Sequence, residues 1–132
     1  MPTRKAIHPQ DPHALYKEHG YSPAIQSNDL LFVSGMVGAR KDGTPEPDLK
    51  KQIDLAFSNL LGVLDAAGCT FDDVIDVTMF LVKPDESLGF VVEAMKKVYR
   101  DPLPNVTAVG VTWLAGFLFE IKVIARIPNP KS

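Results

Sequence analysis

Glu120 is the one carboxylate in an otherwise apolar run, Leu118-Phe119-Glu120-Ile121-Lys122-Val123-Ile124-Ala125. Burial disfavours the charged form of such a group, raises its pKa and makes it a candidate acid or base. Side chains alternate along a strand, so Lys122 shares the Glu120 face at about 7 Å. Two readings follow. Glu120 and Lys122 form a structural pair, or Glu120 does chemistry and Lys122 is left to hold an anionic ligand. The stretch before it, Pro104-Asn105-Val106-Thr107-Ala108-Val109, carries only neutral side chains.

Other chemistry-bearing residues fit fewer schemes. His8, His13 and His19 are spaced five and six apart, which matches no helical face, so no metal site is read there. Ser34 has no histidine in a local motif and is not read as a nucleophile. Tyr21 offers packing area and a hydroxyl, fitting a cleft wall or a core position. Trp113 fits a lid or a subunit anchor. Cys69 is the sole cysteine, which excludes internal disulfides and cysteine-cluster zinc sites; a buried, inert thiol is expected. Gly38 and Gly43 are not followed by the Lys-Ser/Thr of a phosphate loop, and no cofactor is expected.

The elements that must position these residues belong to one domain, residues 1–132, by size. The chain is 45% hydrophobic and 23% charged with a formal charge of −2, which gives no strong attraction to nucleic acid or an anionic membrane. No apolar run is long enough to span a bilayer. The Met1–His8 stretch lacks the apolar core of a signal peptide, and one cysteine fits a reducing compartment; a cytoplasmic location is expected.

Residues 1–20 read as an irregular segment, with Pro9 and Pro12 against a continuous helix. Tyr21–Gln26 and Leu30–Gly35 read as strands around the Ser27-Asn28-Asp29 turn, the second as fully buried. Arg40–Pro47 is a loop. Asp48 caps a helix whose apolar face is Ile53, Ala56, Phe57, Leu60, Leu64 and Ala67, ended by Gly68. Thr70 and Asp73 cap a short turn. Val74–Val82 is a strand by its β-branched content. A second helix begins at Pro84, with Phe90, Val91, Ala94, Met95 and Val98 as its apolar face. Pro102 and Pro104 stop it and feed the last two strands. The order β-β-α-β-α-β-β predicts an α+β fold with both helices on one face of a mixed sheet.

On the last strand Phe117, Phe119, Ile121, Val123, Ala125 and Ile127 point one way, toward a helix-side core. Leu118, Glu120, Lys122, Ile124 and Arg126 point the other way. That mixed face would leave apolar surface wet in a monomer, so a second subunit is expected to cover it, with a pocket between subunits.

Five segments carry a resemblance: Tyr21-Ser22-Pro23-Ala24-Ile25; Leu30-Leu31-Phe32-Val33-Ser34-Gly35; Leu64-Asp65-Ala66-Ala67-Gly68; Asp72–Leu81; and Glu120-Ile121-Lys122-Val123-Ile124-Ala125. In this order the chain resembles the RidA/YjgF family, and its YjgH-type branch through Val109–Gly116. The resemblance implies a chorismate-mutase-like fold and a homotrimer with clefts at its subunit interfaces. It implies hydrolysis of enamines and imines to 2-oxoacids and ammonia, with an arginine on the substrate carboxylate and a glutamate placing water. Tyr21, Ser34, Gly35 and Glu120 match the family's cleft residues. The arginine does not: Val106 or Asn105 stands in its place, beside Thr107, and Val92 stands where an asparagine is common. A charge-assisted pair is therefore lost.

The expectation is a trimeric small-molecule-binding protein without the usual 2-aminoacrylate deaminase activity. A deaminase for a neutral or atypical imine, motivated by the retained Glu120 and Tyr21, is one alternative; separately, Lys122 is a candidate to supply the missing cation to an anionic ligand. An interaction or chaperone-like trimer is another. RNA cleavage, an activity of some relatives, lacks the basic-aromatic pattern it needs.

Overall fold

The computed structural model describes residues 3–130. Of the domain read over 1–132, residues 1–2 and 131–132 lie outside the described residues. The strands are β1 (Lys5–Ile7), β2 (Ala24–Ser27), β3 (Leu30–Val33), β4 (Met36–Val37), β5 (Val74–Leu81), β6 (Asn105–Gly110) and β7 (Phe119–Arg126). The helices are α1 (Leu15–His19), α2 (Leu49–Ala66) and α3 (Pro84–Val98), with a 3-10 turn at Phe71–Asp73.

Local chemistry sets these bounds. The Asp48 carboxylate accepts the Lys51 N–H at 3.0 Å and caps α2. Past its C-terminal end Gly68 takes φ +76°, the left-handed conformation glycine adopts freely. Thr70 accepts the Asp72 N–H while Asp73 accepts the Thr70 N–H, a reciprocal cap for the short turn. Pro84 opens α3, with Asp85 and Glu86 in its first turn and Lys96 and Lys97 in its last, matching the helix dipole.

The sheet runs β1-β2-β3-β7-β5-β6, with β4 also on β7. Among the described residues only β5 and β6 pair in parallel. Such a pair needs a crossover, which α3 supplies. The inward row of β7 (Phe119, Ile121, Val123, Ala125) is fully buried, with Phe57 of α2 stacked on Phe119 at 6.0 Å. Val91 and Ala94 of α3 join the same core. The mixed sheet with α2 and α3 on one face is thus as expected.

Three expectations fail. Residues 3–20 are not irregular throughout: β1 extends the sheet edge, and α1 forms beyond Pro12 and ends at Gly20 with φ +71°. Those prolines limit only what precedes Leu15. Strand β3 is not buried on both faces, because Phe32 points to the helix-free side and is 42% exposed. Phe90 is likewise exposed, and α3 buries Ser87 instead, whose hydroxyl is satisfied by the Lys83 carbonyl at 2.8 Å.

Candidate functional site

Glu120 is the second residue of β7, between Val37 of β4 and Phe80 of β5, on the sheet face without helices. It is half-buried. Burial raises its pKa above the usual carboxylate value, and the Lys122 charge opposes that rise. Lys122 pairs across β5 with Thr78 and is exposed. The ion pairs among the described residues join other groups, so Glu120 and Lys122 do not form the structural pair.

A break in the β3–β4 edge makes room for Glu120. Phe32 pairs with Ile124 and Met36 with Ile121, so three residues, Val33, Ser34 and Gly35, oppose two, Lys122 and Val123. Such a bulge re-aims side chains. The Ser34 hydroxyl turns away from β7 and donates to the Ser22 carbonyl at 2.7 Å, and the Ser34 N–H donates to the Pro23 carbonyl at 2.9 Å. Gly35 leaves the space that the Glu120 carboxylate fills: a Cβ there would stand 2.5 Å from Cδ and Oε2.

Tyr21 completes this group. Burial first, and then the Glu120 charge, raise its phenol pKa, so it stays a neutral donor. Its ring meets Tyr16 edge-on at 5.2 Å, and Tyr16 stacks on His13 at 4.2 Å. The Tyr16 hydroxyl donates to the Met36 sulfur at 3.4 Å. His13 accepts the Leu15 N–H at its Nδ1. Helix α1 therefore buttresses Tyr21, a role not read from the sequence. The sequence Leu15-Tyr16-Lys17-Glu18-His19-Gly20, a short run closed by glycine, was the available signal.

The remaining candidates divide. Asn105 and Thr107 point to the Glu120 side, in register with Asp76 and Thr78, and the Asn105 amide donates to the Asp76 carboxylate. Val106 does not share that face. It pairs with Val77 in the inward row and, with Val92 of α3, lines a groove of about 290 Å³ that also touches Met95, Lys96, Tyr99 and Leu103. One strand offset by a single residue separates the two sets, because alternate residues face opposite ways. Every residue of β6 is exposed. Trp113, 74% exposed, stands on the β6–β7 connection. Cys69 is buried, with its thiol pushed up to about 11 chiefly by that burial.

Gln52 of α2 carries no signal in the sequence that sets it apart. It is buried, its amide donates to the Glu46 carbonyl at 2.8 Å, and its oxygen accepts the Leu118 N–H at 2.8 Å. It thereby fixes the entry to β7 two residues before Glu120.

The profile of the endoribonuclease L-PSP family matches residues 11–127. The chain belongs to that family. Within this family it is 59% identical to the RutC family protein YjgH of Escherichia coli strain K12 over 130 residues, covering 98% of this chain and 99% of that one. A solved structure of protein YJGH matches with a TM-score of 0.93 at 58% identity, covering 98% and 100% of the two chains. The mouse 2-iminobutanoate/2-iminopropanoate deaminase is 33% identical over 108 residues, 80% of this chain and 79% of that one. The RidA/YjgF resemblance and its YjgH-type branch are thus established, and the L-PSP members share the α+β sheet described above.

Proposed function

We propose that this protein forms a homotrimer with small-molecule clefts between subunits, and that it turns over 2-imino acids poorly. The observation that carries the reading is the division of the candidate residues. Glu120 lies on the helix-free face with Gly35 against its carboxylate and Tyr21 near enough to feel its charge, while Val92 and Val106 line a groove on the helix side. Neither half closes on itself within one chain. A second copy packed along exposed β6 and the Phe32 face would bring the groove of one subunit to the Glu120 of its neighbour, and would cover the wet apolar surface.

The poor turnover follows from Val106 and Val92. No guanidinium stands in the groove to form a bidentate pair with a carboxylate next to the reacting carbon. The test is a coupled assay with freshly generated 2-aminoacrylate and 2-iminobutanoate beside the mouse deaminase. Rates comparable to that relative would overturn the reading.

One observation favours a second reading, hydrolysis of a neutral imine. The Glu120 carboxylate is half-buried, held at Gly35 and beside the Tyr21 phenol. In that reaction Glu120 takes a proton from water as the water oxygen bonds to the imine carbon. The C=N π electrons move to nitrogen, which receives that proton. A second transfer from the new hydroxyl breaks the C–N bond and releases ammonia and a carbonyl product. Neutral imines assayed with the parent protein and Glu120→Gln decide it: equal rates would remove Glu120 from the step.

A further inference from the structure

The groove between α3 and β6 carries one charged side chain. On α3 and its cap, Val92, Met95, Lys96 and Tyr99 fall at i, i+3, i+4 and i+7 and so share a face. That face meets Leu103 and Val106 around the 290 Å³ space. Lys96 and Lys97 both suit the helix C-terminus, yet they differ. Lys97 pairs with Glu93 at 3.6 Å, whereas Lys96 has no ion-pair partner among the described residues. Tyr99 adds a second unspent group. It is 6% exposed, and its hydroxyl is the one buried side-chain polar atom among the described residues without a hydrogen-bond partner. Its ring packs edge-on against Phe71 at 5.6 Å, so it forms the inner wall of the groove.

We infer that this groove binds an amphipathic carboxylate, with its hydrocarbon body on Val92, Met95, Leu103 and Val106 and its anionic end at Lys96. This rests on the reading of the groove as half of a ligand cleft and names the class of ligand that half selects. The apolar walls reward chain length, by about fourfold in affinity per buried methylene. The free ammonium rewards an anionic terminus, because no other side chain of the same subunit lining the groove is charged. The ligand differs from a short 2-imino acid in carrying its charge beyond an apolar segment.

The probes are hexanoate, butanoate and hexanamide, titrated into the full-length protein and followed by amide chemical shifts. Shifts centred on residues 92–106 are expected, with hexanoate bound about tenfold more tightly than hexanamide and more tightly than butanoate. Lys96→Met removes the preference for hexanoate over hexanamide, and Lys97→Met retains it. Equal affinities for hexanoate and hexanamide, equal effects of the two lysine variants, or shifts centred elsewhere would overturn the inference. The oligomer mass is measured on the same samples. Lys96-dependent binding in a monomer would sink the cleft reading and leave this inference standing; a trimer without the preference would do the reverse.

Discussion

The Glu120 carboxylate occupies the place where a side chain on residue 35 would begin. A Cβ on Gly35 would stand 2.5 Å from both Cδ and Oε2 of Glu120. The glycine is thus one half of a fitted pair, and the bulge that carries it sets where the carboxylate points.

Gly35→Ala is expected to displace Glu120 and to cost about 1–3 kcal/mol, as overpacking does. Adding Glu120→Ala removes the clash. In a urea-denaturation cycle the double variant recovers most of the Gly35→Ala loss, because the two residues share one contact. Additive losses would show that Gly35 meets something else.

Glu120 makes a pH prediction. Its pKa is raised in the folded chain by burial, so the folded state binds the proton more tightly than the unfolded state. Stability therefore falls as pH rises from the unfolded carboxyl value through the folded one, and the full cost is present above both. Glu120→Gln is expected to melt higher than the parent at neutral pH, with the gap closing on acidification through that window. Lys122→Met removes the one charge that opposes the shift and moves the Glu120 titration further up, as carboxyl NMR would read.

Ser34→Ala removes the hydroxyl that donates to the Ser22 carbonyl at 2.7 Å. A loss of about 1 kcal/mol is expected from denaturant titration. Amide exchange should quicken at Tyr21–Pro23, the segment that bond ties to the bulge.

Gln52→Leu leaves the Leu118 N–H and the Glu46 carbonyl without their side-chain partner. About 2–4 kcal/mol is expected, since two polar groups lose satisfaction near the core. Gln52→Glu keeps the acceptor for Leu118 but loses the donor to Glu46, and should retain part of that stability.

Tyr99→Phe deletes a buried hydroxyl that has no partner. Stability is expected to hold or to rise by about 1 kcal/mol, the opposite sign to the loss of a satisfied group. A fall of that size would place a partner on the hydroxyl.

Much of this architecture is legible in residue order. Asp48, Gly68 and the Thr70/Asp73 reciprocal cap mark their element ends because capping is local chemistry, decided within four residues. The two faces of β7 follow from alternation alone. What lies beyond local chemistry was hidden. The bulge at Ser34–Gly35 depends on the registers of two separate segments with β7, and without those registers Gly35 cannot be matched to Glu120. The face of Val106 depends on β6 pairing in parallel with β5, and a neutral strand offers no alternation to read. Lys96 stood in plain heptad spacing with Val92 and Tyr99, but a lysine in the last turn of a helix is explained by the dipole until a groove appears beside it.

The claim that the site is divided between copies is tested most directly by cross-linking. In a Tyr21→Cys/Val92→Cys variant one thiol precedes β2 and the other lies beside β6, well separated in the sheet order β1-β2-β3-β7-β5-β6, and Cys69 is buried. A bis-maleimide linker of about two residues' span (roughly 7 Å at strand rise) joins only groups that approach from neighbouring copies. Covalent dimers and trimers on a denaturing gel, absent from either single variant, are the predicted result. A gel showing only single chains, at concentrations where the protein is fully folded, would contradict a cleft built from two subunits.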